Sequence, residues 1–213
     1  MDQIKLEELL SSVKEGEVSV EDALKRLESL PFEDLGFARL DLHRDLRQGL
    51  PEVVFCQNKT PEQIITIMKK LWEHHDHVLG TRLSPDAAEI ILKGLPEAIY
   101  DPMSKLLQLS RGALPQPDED APYVMVVSGG TSDQPVAEEA AVTLEFLGSR
   151  VIRSYDIGVS GVHRLFDQHA LLTEADVIIS VAGMEGALTS VVGGLVSCPV
   201  VGVPTSVYCA HIG

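Results

Sequence analysis

Between Tyr123 and Pro204 the sequence repeats one unit: a short apolar run, a glycine-bearing turn, then a stretch with apolar residues at helical spacing. Few folds accept that order. Strands separated by helices run parallel and need crossovers, so the repeat predicts a parallel sheet layered with helices. Tyr123–Ser128 is the first strand and enters Ser128-Gly129-Gly130-Thr131-Ser132-Asp133. Val136, Ala140, Leu144 and Leu147 then share a helical face, and Gly148 closes the helix as a C-terminal glycine does. Val151–Tyr155 is the second strand and Val162–His169 a short helix. Asp176–Val181 is the third strand and runs into Ala182-Gly183-Met184-Glu185-Gly186-Ala187. A helix through Leu195 precedes the fourth strand, Val200–Val203. In such sheets ligands sit beyond the carboxyl ends of the strands, where all these turns lie.

The front of the chain differs in composition. Residues 1–120 hold 14 of the 17 Lys and Arg, whereas residues 121–213 hold 11 of the 17 glycines. Two domains are therefore expected, 1–115 and 116–213, joined through the proline-bearing acidic segment Arg111–Pro122. The first domain opens with two amphipathic helices. Ile4, Leu6, Leu9, Leu10 and Val13 form the face of one, ended by Gly16. Ser19 caps the other, with Ala23, Leu24 and Leu27 inward. Strands are read at Phe37–Leu42, Glu52–Phe55, His77–Thr81 and Ala98–Tyr100, with helices at Pro61–Trp72 and Pro85–Lys93. Each of those helices begins with proline, which suits the first helical position. The fold class is α/β in both parts.

A formal net charge of −15 argues against a nucleic-acid partner, which needs a positive field. No run of about 18 apolar residues offers a membrane span, and no basic-then-apolar leader is present. Three scattered cysteines, Cys56, Cys198 and Cys209, do not build a disulfide framework or a zinc site. A cytoplasmic location is expected.

Each turn has a chemical and a plain reading. Gly129 and Gly130 let a ligand approach the backbone, and Ser128, Thr131, Ser132 and the helix N-terminus suit a phosphate. Asp133 suits a helix start and a ribose hydroxyl. The plain reading is a capped strand-to-helix turn. Arg164, one of three basic residues after 120, is an anion anchor or else the partner of Asp167 or Asp156. His163 is an acid/base group or a structural one. Glu185 stands between glycines, as a helix cap or as a group that moves a proton beside the ligand. The pair Gly193-Gly194 weakens its helix, and a close packing contact is the expected compensation.

These residues resemble a family. Ser128 through Asp133 is similar to the Ser-Gly-Ser-x-Ser-Asp turn of AIR carboxylases of the PurE type. Ser160-Gly-Val-His163-Arg164 resembles their Ser-Ala-His-Arg turn, and Pro199–Pro204 their Pro-Val-Ile-Gly-Val-Pro. A closer resemblance, to the LarB family, covers nearly the whole chain. It lies in Asp41-x-x-Arg44-x-x-Arg47-x-Gly49-x-Pro51-Glu52-Val53, Asp133–Ala140, Tyr155–Gly158, His163–Phe166 and Ala182–Leu188.

The resemblance implies a PurE-like, flavodoxin-like three-layer domain behind a smaller α/β domain. It implies carboxylation of the pyridinium ring of nicotinic acid adenine dinucleotide at C5. Cleavage of the phosphoanhydride then gives AMP and pyridinium-3,5-biscarboxylic acid mononucleotide, for a nickel-pincer cofactor. CO2 or bicarbonate is the co-substrate, Mg2+ is plausible for the anhydride step, no organic cofactor is held tightly, and a homo-octamer is implied. NAD and AMP are related ligands. By resemblance, Ser128, Gly129, Gly130, Thr131, Ser132, Asp133, His163, Arg164, Gly183, Met184, Gly186 and Ala187 bind the nucleotide, and Glu185 and Asp133 are catalytic. The metal ligands and the role of Asp41, Arg44 and Arg47 stay unassigned. PurE-type enzymes place a histidine after the third strand, where Gly183-Met-Glu-Gly has none. AIR carboxylation and a non-enzymatic role of the circadian-phase-modifier type are the alternatives. The resemblance also implies a truncated C-terminus, without the helix that carries the family's ring-attacking cysteine; Cys209 is a weak substitute.

Overall fold

The computed structural model describes residues 3–28, 32–42, 44 and 50–206. The readings at Arg47, Gly49 and Cys209 lie outside the described residues, as do the side chains of Ile4 and Leu27. The chain divides into two compact units, Met1–Tyr100 with Leu107–Ala113, and Asp101–Leu106 with Leu114–Gly213.

The first unit begins with helices α1, Gln3–Lys14, and α2, Val20–Glu28. The Ser19 hydroxyl accepts from the Asp22 N–H at 3.0 Å, the cap read from sequence. Leu9 and Ala23 are buried, but Leu10 and Leu24 are more than half exposed, so the inward face is narrower than the periodicity implied. The strand read at Phe37–Leu42 is shorter, Arg39–Asp41 (β2), and pairs antiparallel with Phe32–Asp34 (β1), which the sequence did not disclose. Val53–Phe55 (β3), His77–Thr81 (β4), Ile99–Asp101 (β5) and Leu106–Ser110 (β6) form a second sheet in the order β3-β4-β6-β5. β3 runs parallel to β4 and β6 antiparallel, so the sheet is mixed. Helices α3, Pro61–His74, and α4, Pro85–Gly94, start behind Thr60 and Ser84, whose side chains accept from Gln63 and Ala87 N–H groups. Ile64, Ile67, Met68 and Leu71 of α3 pack on Val54, Val78, Leu107 and Leu109.

The second unit is the fold its repeat predicts. Strands β7, Tyr123–Ser128, β8, Arg150–Ser154, β9, Val177–Ala182, and β10, Val200–Pro204, lie in the order β10-β9-β7-β8, and every pairing is parallel. Helices α5, Gln134–Phe146, α6, Val162–Asp167, α7, His169–Glu174, and α8, Ala187–Leu195, complete it. The single short helix read at Val162–His169 is thus two. Side chains of one strand alternate between faces. Met125, Val127 and Ile178 pack with Leu165, Leu172, Leu188 and Val192 on one face. Val126 and Val181 pack with Ala137 and Ala141 of α5 on the other. The α5 face centres on those two alanines, with Val136 and Leu144 flanking, rather than on Ala140 and Leu147. The sheet is therefore the middle of three layers. After β7 the chain goes to β8 on one side and reaches β9 on the other. That reversal opens a crevice at the carboxyl ends of β7 and β9.

Among the described residues no helix is long and apolar enough to cross a membrane. Among the described residues no atom lies within 4 Å of where a Cβ would stand at Gly193 or Gly194, so the packing contact expected to compensate them is not found there.

Candidate active site

Three turns meet at the carboxyl ends of β7, β8 and β9. The first is braced by its own residues. The Gly129 N–H donates to the Val181 carbonyl at 2.9 Å, extending the β7–β9 pairing. The Gly130 N–H donates to Asp133 Oδ2 at 3.0 Å. The other oxygen, Asp133 Oδ1, accepts from the Thr205 hydroxyl at 2.6 Å. Thr205 follows β10 and also donates its N–H to the Ala182 carbonyl at 3.1 Å. A carboxylate that is 4% exposed thus joins the first turn to the end of the fourth strand.

The second turn folds against the first. Ser128 is fully buried, and its Oγ accepts from the Asp156 N–H at 3.2 Å while its carbonyl accepts from the Ile157 N–H at 3.0 Å. Ser128 therefore braces two turns. Gly158 packs so tightly that a Cβ there would stand 2.4 Å from the Gly129 carbonyl oxygen. Asp156 holds the left-handed conformation at φ 58°. Its Oδ2 meets Arg164 Nη1 at 2.5 Å, and the guanidinium lies back over Gly161. Of the two readings of Arg164, the structure shows the ion pair with Asp156. His163 is exposed beside it.

The third turn, Gly183–Gly186, closes with the Gly186 N–H on the Gly183 carbonyl at 3.0 Å. Gly186 has φ 65° and Met184 φ 53°. Glu185 and Met184 are both exposed.

Between the turns lies a cavity of about 350 Å³. Of the residues named from sequence, Gly129, Asp133, Gly183, Met184, Glu185 and Ala187 line it. Ser128, Gly130, Thr131, Ser132 and Gly186, of the same three turns, do not, nor do His163 and Arg164 at the start of α6. Thr131 and Ser132 are exposed on the first turn. The remaining wall is Gly158, Val159, Ser160, Ala182 and Leu188. The run Gly158-Val-Ser160 follows the second strand as the other turns follow theirs, which was the available signal. Among the described residues the ionisable lining groups are Asp133 and Glu185, both carboxylates, and no cation or histidine joins them.

Two cysteines are described and neither lines the cavity. Cys56 is buried in the first unit, where desolvation pushes its thiol up to about 11. Cys198 packs against the second unit's core. No group of three or more His, Cys, Asp or Glu side chains converges as a metal cage among the described residues.

Comparison with known families agrees with this architecture. Residues 32–111 match the model described as the LarB/PurE-like N-terminal domain, and residues 123–211 match AIR carboxylase. The chain is also 37% identical over 210 residues to an uncharacterized protein of the archaeon Methanocaldococcus jannaschii, covering 94% of this chain and 81% of that one.

Proposed function

The chain belongs to the two-domain LarB/PurE-like family of carboxylase-type enzymes, and from that premise we propose that its substrate is the pyridinium ring of nicotinic acid adenine dinucleotide. It carboxylates that ring at C5 and cleaves the phosphoanhydride with water, releasing AMP and pyridinium-3,5-biscarboxylic acid mononucleotide for nickel-pincer cofactor synthesis. The observation that carries the choice of ring is the cavity wall. Among the described residues its charged groups are two carboxylates, set among glycines, apolar residues and Ser160, with no histidine. Such a wall favours a flat cation over a neutral aminoimidazole, because its carboxylates attract positive charge, Asp133 from a buried position.

In the family's chemistry a cysteine thiolate adds to the cationic ring and makes it a nucleophilic dihydropyridine; neither described cysteine lines the cavity, so that thiolate has to come from outside the described residues. CO2, drawn from bicarbonate, then forms a bond to C5. The C5 proton leaves, the thiolate departs with its electron pair, and the pyridinium is restored. Glu185, exposed in the cavity wall, is the base assigned to that proton. Asp133, with both oxygens already held by Gly130 and Thr205, fixes the floor of the cavity. Arg164 turns from Asp156 to the substrate's phosphate, trading one charge-assisted bond for another. Mg2+ would be held with the help of the substrate's own phosphates and would neutralise their charge in the anhydride step. No organic cofactor is needed, and the working form is a homo-octamer.

Calorimetry tests the choice of ring. Nicotinic acid adenine dinucleotide should bind the intact chain at least tenfold more tightly than aminoimidazole ribonucleotide. The reverse order would assign the purine substrate.

A further inference from the structure

Met184 holds a backbone conformation that glycine adopts freely and other residues reach only at a cost. Gly183 and Gly186 stand in the same turn, so glycine is common there, yet methionine occupies this strained position. Its side chain is 58% exposed, while Ala182 and Leu188 nearby are buried. Packing among the described residues accounts for neither the strain nor the exposure. The side chain does line the cavity, whose neighbouring wall is the apolar set Val159, Ala182 and Leu188. A thioether is flexible and polarisable, and it makes favourable contacts with aromatic rings.

We propose that Met184 is a specificity-determining residue that lays its thioether across the flat ring of the bound nucleotide. The strained turn aims the side chain at the cavity mouth, and the ring covers apolar surface that is otherwise left to water. The proposal rests on reading the cavity as a ring carboxylase site.

The test compares Met184→Gly and Met184→Leu in the full chain. Glycine removes the side chain and also relieves the backbone, so binding and stability should move in opposite directions. Calorimetry uses nicotinic acid mononucleotide, with ribose 5-phosphate as the ligand that lacks a ring. Met184→Gly should weaken the mononucleotide about tenfold, leave ribose 5-phosphate unchanged, and keep or raise the melting temperature by about 2 °C. Met184→Leu should retain most of the affinity. Unchanged mononucleotide affinity in Met184→Gly, an equal loss for both ligands, or a melting temperature lower by several degrees would each overturn the proposal. If the wild type instead binds aminoimidazole ribonucleotide, the pyridinium substrate falls. The same pair of variants measured on that nucleotide then decides Met184 by the same criteria. A wild type that binds neither ring nucleotide overturns both.

Discussion

Gly158→Ala and Gly193→Ala are the same chemical change, and the structure gives them opposite signs. Gly158 has φ −59° and ψ 153°, a conformation alanine adopts without strain, so the backbone of the residue itself is no obstacle. The obstacle is the first turn. A Cβ at 158 would lie 2.4 Å from the Gly129 oxygen and 3.2 Å from its carbonyl carbon, where ordinary contact begins at 3.4 Å. Backbone, not a flexible side chain, must yield. The two turns then part, and the Ser128 bonds to Asp156 and Ile157 stretch with them. Overpacking of this kind costs about 1–3 kcal/mol, which lowers a melting temperature by about 2–12 °C in a chain of this size. Because Gly129 and Gly158 both line the cavity, kcat/KM should fall by more than about tenfold, beyond what stability explains. Gly193 stands in α8 with open space around it. Alanine there gains about 1 kcal/mol of helix propensity and raises the melting temperature by about 2–4 °C. Scanning calorimetry with a carboxylation assay measures both. A Gly158→Ala variant that melts at or above wild type would refute the account of the clamped turns. A Gly193→Ala variant that melts lower would show that α8 is covered by something outside the described residues.

Four further outcomes follow from named contacts. Arg164→Ala should weaken dinucleotide binding by more than about tenfold, since a charge-assisted phosphate bond contributes about 1.5–3 kcal/mol, while the melting temperature stays within about 2 °C; unchanged affinity by calorimetry would remove Arg164 from the site. Glu185→Gln should cut product formation far more than binding, and turnover near wild type would reduce Glu185 to a cap. Thr205→Val should cost about 1–3 kcal/mol in denaturant unfolding, because it strips a hydrogen bond from a buried carboxylate, and Thr205→Ser should recover most of it; equal loss in both would place the effect in packing. Burial raises the Cys56 thiol from 9.0 to about 11, so the unfolded thiol loses its proton first. The stability it contributes is full below pH 9 and is lost as pH rises through about 11. Cys56→Ala should flatten the pH 9–11 decline, and an unaltered slope would contradict the cause.

The second unit was legible because its order is forced. Tyr123–Ser128 and Val177–Ala182 are apolar on both faces, as buried parallel strands must be, and each ends at glycine. The first unit was less so. Leu106–Ser110 carries Gln108 and Ser110 among leucines and has no turn motif of the kind that marked the other strands, so its pairing with His77–Thr81 came only from the fold. Phe32–Asp34 is too short and too charged to stand out, and it exists through its partner Arg39–Asp41. At the site, the sequence located three turns but not the direction of their side chains. Ser128 and Thr131 look alike in a Gly-Ser-Thr run, yet one is sealed beneath the second turn and the other faces solvent. Thr205 lies 72 residues from the Asp133 it holds, a distance no local pattern bridges.

The central claim is that this chain carboxylates a pyridinium ring. Its most direct test is incubation with nicotinic acid adenine dinucleotide and carbon-labelled bicarbonate, with aminoimidazole ribonucleotide in a parallel reaction, followed by mass spectrometry. Label in one new carboxyl group on the pyridinium mononucleotide, with an equal amount of AMP released, is the result predicted. Label on the aminoimidazole ring, with the dinucleotide recovered intact, would contradict it.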